Sequence, residues 1–91
     1  LHMLKKTENE WIVPKFQLRH RVRLAREVAE MQQIELATIT GLSRASIANI
    51  EVGRTKPRKA SLNLIAFATG VDPDWLETGE APPGYDSTQI A

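Results

Sequence analysis

Cysteine is absent from the 91 residues, which excludes disulfide bonds and a thiolate zinc site as sources of stability. No apolar run is long enough to cross a membrane, and no signal peptide is visible. There are no paired carboxylates on an apolar helical face, no Ser/His/Asp set and no Gly-rich phosphate loop. We therefore expect a protein that is not an enzyme, has no catalytic residue, metal site or cofactor, and resides in a reducing cytoplasm.

Basic residues are missing from the last third of the chain. All twelve Lys and Arg lie within residues 1–59, together with six acidic residues, so this part carries a net charge of +6. Residues 60–91 hold five acidic residues and no Lys or Arg, a net charge of −5. A basic body with an acidic end is typical of a nucleic-acid-binding module, but an ordinary solvated surface gives the same distribution.

Residues 33–52 have the pattern of two short helices joined by a sharp turn. Each segment has apolar residues on one face, Leu36 with Ala37 in the first and Ile47 with Ile50 in the second. Gly41 lies between the segments and can adopt the positive φ that a sharp turn requires. Ser43 is a good N-cap for the second helix, and Ala37 is small enough to let the two helices approach closely.

This stretch and its surroundings resemble the phage repressor/Cro (XRE-type) helix-turn-helix domains. The matching residues, in order between about Arg21 and Gly79, are Gln33, Leu36-Ala37, Gly41-Leu42-Ser43, Ile47, Ile50-Glu51, Gly53, Pro57, Ile65-Ala66, Gly70-Val71 and Asp74-Trp75-Leu76. The resemblance implies an all-α, five-helix lambda-repressor-like domain that binds double-stranded operator DNA as a homodimer. Thr40 departs from the family, which prefers Leu or Val there, so we expect a somewhat looser core beneath the turn in this chain.

The chain divides into three parts. We expect an N-terminal extension at residues 1–14 (with a cloning remnant at residues 1–2), the DNA-binding domain at residues 15–78 and a flexible acidic linker at residues 79–91. The first helix is predicted at residues 15–30, with Pro14 available for its first position. The third is predicted at residues 44–51, the fourth at residues 58–69 after Pro57, and the last at Pro73 after an Asp72 cap.

The residues expected to read bases lie on the outward edge of the third helix. They are Arg44, Ala45, Ser46 and Asn49. An arginine can fork onto guanine O6 and N7, an asparagine can pair with adenine, and an alanine can touch a thymine methyl. A phosphate clamp is an equal alternative for Arg44, because half or more of such hydrogen bonds go to the DNA backbone.

A second set of residues is expected at DNA phosphates. It comprises Gln32, Gln33, Ser43, Arg54, Thr55, Lys56, Arg58 and Lys59. By the resemblance, Gln33 also braces the third helix, and Arg26 pairs with Glu51 to tie the first helix to the end of the third. Together with Gly41 and Ala37, this pair is expected to be structural.

Leu24, Val28, Leu64 and Phe67 are apolar where related domains are usually polar. We expect the N-terminal extension to cover them; the alternative is a dimer patch. The resemblance favours a phage or prophage immunity repressor domain, with an oligomerisation domain following it, or a complete Cro-like switch protein. The alternative function is an antitoxin whose main partner is another protein.

Overall fold

The computed structural model describes residues 10–85, which form five α-helices and no strand. The helices are α1 (Leu18–Val28), α2 (Gln33–Thr40), α3 (Arg44–Glu51), α4 (Lys59–Thr69) and α5 (Pro73–Thr78). The predicted all-α, five-helix fold is confirmed. Residues 1–9 and 86–91, which include the predicted cloning remnant and the end of the predicted linker, lie outside the described residues.

The five helices surround one apolar core. Its buried side chains are Val22, Ala25, Leu36, Ala37, Ile47, Ile50, Leu62, Ile65, Ala66 and Leu76. Helix α2 packs against α3 and α4, whereas α1 contacts α3, α4 and α5. Because helices of eight residues are marginal in water by themselves, α2 and α3 depend on this packing for their stability.

Helix α1 begins three residues later than predicted. It starts at Leu18 rather than Lys15, so Pro14 is not its first residue. Gln17 is the N-cap, and its backbone N–H donates to Nδ1 of His20 at 2.9 Å. This side-chain acceptor satisfies an N–H that has no partner within the helix, which fixes the start at this point.

Helix α1 also ends earlier than predicted, at Val28 instead of Glu30. Glu30 has φ +58°, a left-handed backbone conformation that cannot continue the helix. The N–H of Glu30 donates to the carbonyl of Glu27 at 2.9 Å, and the N–H of Met31 donates to that of Arg26 at 3.1 Å. These bonds close the last turn, so the predicted end is wrong by two residues.

Helix α4 begins at Lys59, one residue later than predicted. Arg58 has an extended backbone, with φ −73° and ψ 160°, and is the N-cap. Its carbonyl accepts the first helical hydrogen bond, from the N–H of Leu62 at 3.0 Å. Pro57 therefore precedes the cap instead of starting the helix, but Arg58 and Lys59 remain at the N-terminal end of α4.

The predicted limits of α3 and the predicted start of α5 are confirmed. Helix α3 covers Arg44–Glu51, and Gly53 follows it with φ +83°. Helix α5 has Pro73 as its first residue, and a carboxylate oxygen of Asp72 accepts from the N–H of Trp75 at 2.9 Å. The end of α3 and the start of α5 could be predicted because a glycine after a helix and an aspartate before one are strong local signals in the sequence.

Thr40 closes the base of the turn between α2 and α3, where the family prefers Leu or Val. The residue is buried, and its hydroxyl donates to the carbonyl of Leu36 at 2.7 Å. The same oxygen accepts from the N–H of Leu42 at 3.3 Å. The polar residue is thus accommodated by hydrogen bonds, as a buried hydroxyl requires.

Arg21 is buried rather than part of a basic surface. Its Nε donates to the carbonyl of Leu76 at 2.9 Å, and its two terminal nitrogens donate to the carbonyls of Phe16 and Glu77 at 2.9 and 2.8 Å. A buried charge is tolerated only when it is hydrogen-bonded, and a cation is favourable near the C-terminal end of a helix. Arg21 therefore joins the start of α1 to the end of α5.

Three of the four apolar residues that the extension was expected to cover remain exposed, whereas Leu24 is half-buried. Phe67 is 92% exposed, and Val28 and Leu64 are about half exposed. Trp11, Ile12 and Val13 of the extension are exposed, and so is Phe16, which follows it. For the described part of the extension, the prediction of intramolecular cover is therefore wrong for Val28, Leu64 and Phe67, since residues 10–14 are themselves exposed.

Candidate nucleic-acid interface

The turn between α2 and α3 leaves the N-terminal end of α3 at the surface. Gly41 has φ +80°, and its N–H donates to the carbonyl of the buried Ala37 at 2.9 Å. Ser43 then caps α3, since its hydroxyl oxygen accepts from the N–H of Ser46 at 3.0 Å. The helix starts immediately afterwards at Arg44, whose side chain is exposed.

Helix α3 turns one face to the core and the other to solvent. Ile47 and Ile50 are buried, whereas the residues predicted to read bases are accessible: Arg44, Ala45 and Ser46 are exposed and Asn49 is half-buried. Val52, which was not predicted to belong to this edge, is exposed as well and extends the edge at the C-terminal end of the helix. The edge of α3 that is predicted to enter a DNA groove is therefore exposed to solvent in the free chain.

A buried ion pair joins the end of α3 to α1. Arg26 donates from Nε to one carboxylate oxygen of Glu51 at 2.7 Å and from a terminal nitrogen to the other at 2.9 Å. This bidentate geometry gives the strongest hydrogen bonding between an arginine and a carboxylate. The Glu51 side chain is only 4% exposed. The hydrogen bond with Glu51 raises the pKa of Arg26, against the opposing effect of burial.

Two further hydrogen bonds extend this pair into a network. Gln33 of α2 donates from Nε2 to the Glu51 carboxylate at 3.1 Å, and Arg26 also donates to the carbonyl of Met31 at 2.9 Å. Three helices thus meet at one carboxylate. An amide nitrogen has two N–H groups, so Gln33 keeps one for another acceptor. The preceding Gln32 is the N-cap of α2, with its N–H bonded to the Glu35 carboxylate at 2.7 Å.

The loop after α3 is closed onto the end of that helix. The N–H of Gly53 donates to the carbonyl of Ile50 at 3.1 Å, and the N–H of Arg54 donates to that of Asn49 at 2.9 Å. The guanidinium of Arg54 also donates to the side-chain oxygen of Asn49 at 3.1 Å. One residue predicted at phosphates and one predicted at bases are therefore bonded to each other.

The loop and the start of α4 form a cationic surface. Its exposed members are Arg54, Thr55, Lys56, Arg58 and Lys59. Lys59 lies 4.0 Å from the Glu77 carboxylate, and both side chains are exposed, so this pair adds little stability.

An open groove of about 320 Å³ separates the loop from the start of α1. Arg19 and Lys56 are among the residues that line it. Arg19 packs so closely on Gly53 that its Cδ would be 2.8 Å from a Cβ added there. Arg19 was not predicted at this surface, because only the packing of α1 beside the loop brings it there.

The described residues contain no other evident site. Between residues 10 and 85, no three His, Asp or Glu side chains are placed to hold a metal ion. His20 receives the N-cap hydrogen bond of α1 through Nδ1. None of the five helices in this part of the chain has the length and apolar character needed to cross a membrane.

Comparisons with known proteins agree on one family. A family model described as helix-turn-helix matches residues 22–76. The P22 c2 repressor DNA-binding domain in solution has a TM-score of 0.68 and 23% identity, over 80% of this chain and 96% of that one. The P22 c2 repressor in complex with a synthetic operator has a TM-score of 0.67 and 26% identity, over 72% of this chain and 100% of that one.

A third similar structure is the restriction-modification controller protein C.AhdI from Aeromonas hydrophila, with a TM-score of 0.62 and 25% identity over 65% of this chain and 89% of that one. No curated protein sequence matches the chain significantly. The family match covers more than half of the chain and includes the whole segment from α2 to α4. The chain therefore belongs to the XRE-type helix-turn-helix family and has the lambda-repressor-like fold of phage repressor DNA-binding domains.

Proposed function

We propose that this chain is a sequence-specific DNA-binding transcriptional regulator that places α3 in the major groove of operator DNA. One observation carries the proposal: the exposed edge of α3 is followed directly, at the C-terminal end of the helix, by a loop of exposed cations. A helix fits the major groove, and a neighbouring cationic loop can contact the phosphates on either side of it. Family membership and the likeness to the operator-bound P22 c2 repressor support this assignment.

The bases are read from the exposed edge of α3. Arg44 forks onto guanine O6 and N7 from the N-terminal tip, Ala45 touches a thymine methyl, and Asn49 pairs with adenine. Ser46 serves a base or a phosphate, because its hydroxyl can donate or accept. In this proposal Arg44 contributes the largest share of base discrimination.

The phosphates are held around that edge. The contacts come from Gln32, Gln33, Ser43, Arg54, Thr55, Lys56, Arg58 and Lys59. Arg58 and Lys59 lie at the N-terminal end of α4, where cations are mildly unfavourable to the free protein because the helix dipole is positive there. A phosphate at the same place is attracted by both the dipole and the cations.

We propose further that the protein is a phage or prophage repressor, or a Cro-like switch protein, acting as a homodimer in the host cytoplasm. The likeness to the P22 c2 repressor supports this finer assignment. The second candidate is an antitoxin that binds another protein. The almost fully exposed Phe67, with Leu64 nearby on α4, favours it because an exposed apolar pair marks a contact surface.

Selection from random double-stranded oligonucleotides with the purified protein tests the proposed function. We expect an enriched motif with two-fold symmetry and half-sites about one helical turn, ~34 Å, apart, since a symmetric dimer presents two α3 helices. An asymmetric motif would contradict the homodimer. Absence of any enriched motif would contradict DNA reading and favour the protein-binding candidate.

Two single substitutions separate base contacts from phosphate contacts. Arg44→Ala is expected to relax the preference at one base pair and to cost about 1–3 kcal/mol on the preferred site. Lys56→Ala, a matched loss of one exposed cation, is expected to weaken all sequences alike. The measurement is the affinity of each variant for every single-base version of the selected site. A uniform loss for Arg44→Ala would identify Arg44 as a phosphate clamp.

A further inference from the structure

We infer that Arg54 is a positioning residue that fixes the side-chain amide of Asn49 and thereby sets which bases Asn49 accepts. The inference rests on the proposed function, because it refines how α3 reads DNA. Its basis is the hydrogen bond from a terminal nitrogen of Arg54 to Oδ1 of Asn49, at 3.1 Å. The loop residue is thus bonded directly to a side chain on the reading edge.

The orientation of the Asn49 amide follows from the chemistry of its partner. A guanidinium has only donors, so the Asn49 atom that faces Arg54 must be the oxygen and not the nitrogen. The Nδ2 group is left with two N–H donors, and no atom in residues 10–85 is hydrogen-bonded to it. The half-buried Asn49 therefore presents its Nδ2 donor to a bound base. An unrestrained amide could present either its nitrogen or its oxygen.

The backbone holds the two residues in this relation. The carbonyl of Asn49 accepts the N–H groups of Arg54 at 2.9 Å and Thr55 at 3.3 Å. Gly53, with φ +83°, makes this return of the chain possible, and Arg19 fills the space where a side chain at Gly53 would lie. The backbone of Arg54 is therefore fixed beside Asn49 by the closure of α3, which places the Arg54 guanidinium within hydrogen-bonding reach of the Asn49 side chain.

A fixed donor discriminates among the four bases. Adenine and guanine both offer N7 in the major groove, guanine adds O6, and thymine offers O4, so each of these can accept from Nδ2. Cytosine presents only its N4 amino donor there and is rejected. Adenine keeps a second bond, because Oδ1 has another lone pair with which to accept from N6 while it is bonded to Arg54.

The test uses selection and single-base affinity measurements with four proteins: the wild type, Asn49→Ala, Arg54→Leu and Lys56→Leu. The position whose preference relaxes in Asn49→Ala is the one that Asn49 contacts. In the wild type we expect cytosine there to weaken binding about tenfold relative to the best base. In Arg54→Leu the amide is free to turn its oxygen outward, so this penalty should fall to about threefold or less.

Lys56→Leu is the matched control, because it removes one cation from the same loop without touching Asn49. It should weaken all sequences equally and leave the cytosine penalty unchanged. In the double variant Asn49→Ala/Arg54→Leu, the loss of Arg54 should no longer change any base preference. Thermal melting of each variant checks that the fold is retained.

Three outcomes would overturn the inference while leaving the proposed function intact. They are an enriched wild-type motif without cytosine rejection at the Asn49 position, no change of preference in Asn49→Ala, or a uniform loss for Arg54→Leu that matches Lys56→Leu. Absence of any enriched motif for the wild type would overturn the proposed function, and the inference with it. The two failures are thus distinguishable.

Discussion

Replacing Glu51 by alanine is expected to lower the free energy of unfolding by about 3 kcal/mol, because it removes one partner from a buried ion pair. The change leaves the guanidinium of Arg26 and the amide of Gln33 without the carboxylate that both contact, at 2.7–3.1 Å. In a domain of this size, such a loss lowers the melting temperature by about 12–24 °C. Thermal or urea unfolding followed by circular dichroism measures it.

Glu27→Ala is the matched control for this prediction. Glu27 pairs with Arg23 at 3.2 Å, but both side chains are at least half exposed and lie one turn apart on α1. Exposed pairs of this kind are worth about 0.3–0.5 kcal/mol, so Glu27→Ala should melt close to the wild type. If Glu51→Ala and Glu27→Ala had the same unfolding midpoint, the stabilising role of the buried pair would be refuted.

The Glu51 network matters for function because of where it lies. Glu51 is the last residue of α3, Gln33 is the first of α2, and Arg26 is in the last turn of α1. The carboxylate therefore sets the angle of α3 against the two helices behind it. We expect Glu51→Ala to reduce operator affinity even at temperatures where the variant is folded, because the reading edge is no longer held in one orientation.

The helix-turn-helix itself could be predicted because its signals are local. Gly41 has the backbone freedom that the turn needs, Ser43 has the hydroxyl that a helix start needs, and Gly53 has the left-handed conformation that ends α3. Each of these preferences acts within one turn of helix, so it is visible in a short window of sequence. The limits of α3 were predicted correctly for this reason.

Contacts between residues that are far apart in the sequence were harder to predict from the sequence. The hydrogen bonds of Arg21 reach Leu76 and Glu77, more than fifty residues away, and nothing in the first helix specifies those partners. A signal was nevertheless present, because Arg21 lies three residues after Leu18 and four before Ala25, which places it on the core face of α1. An arginine on an apolar face indicates a buried, hydrogen-bonded charge.

The start of α1 was missed for a different reason. Pro14 permits a helix to begin after it but does not require one, and the actual start is set by the cap at Gln17. Neither glutamine nor histidine is among the usual capping residues, so their hydrogen bond was not foreseen. The Asn49–Arg54 contact was missed similarly, because each residue had been assigned a separate role on DNA.

Operator affinity is expected to fall about 150-fold per protomer when monovalent salt rises from about 50 to 200 mM. The proposed phosphate contacts include four cations, Arg54, Lys56, Arg58 and Lys59, and all four side chains are exposed. Each neutralised phosphate releases condensed counterions, so the logarithm of affinity falls with the logarithm of salt at a slope of about −0.9 per contact. Fluorescence anisotropy with the selected operator at several salt concentrations measures this slope.

Two variants of Lys56, one that removes the charge and one that keeps it, make the salt prediction specific to the loop. Lys56→Ala should reduce the magnitude of the slope by about one, whereas Lys56→Arg should keep the wild-type slope because it keeps the charge. Lys56 suits this test because its exposed side chain has no hydrogen bond or ion pair within residues 10–85. Affinity that stayed constant between low and physiological salt would show that the cations beside α3 do not bind phosphate. A slope unchanged by both Lys56→Ala and Lys56→Arg would place the phosphate contacts elsewhere on the basic part of the chain.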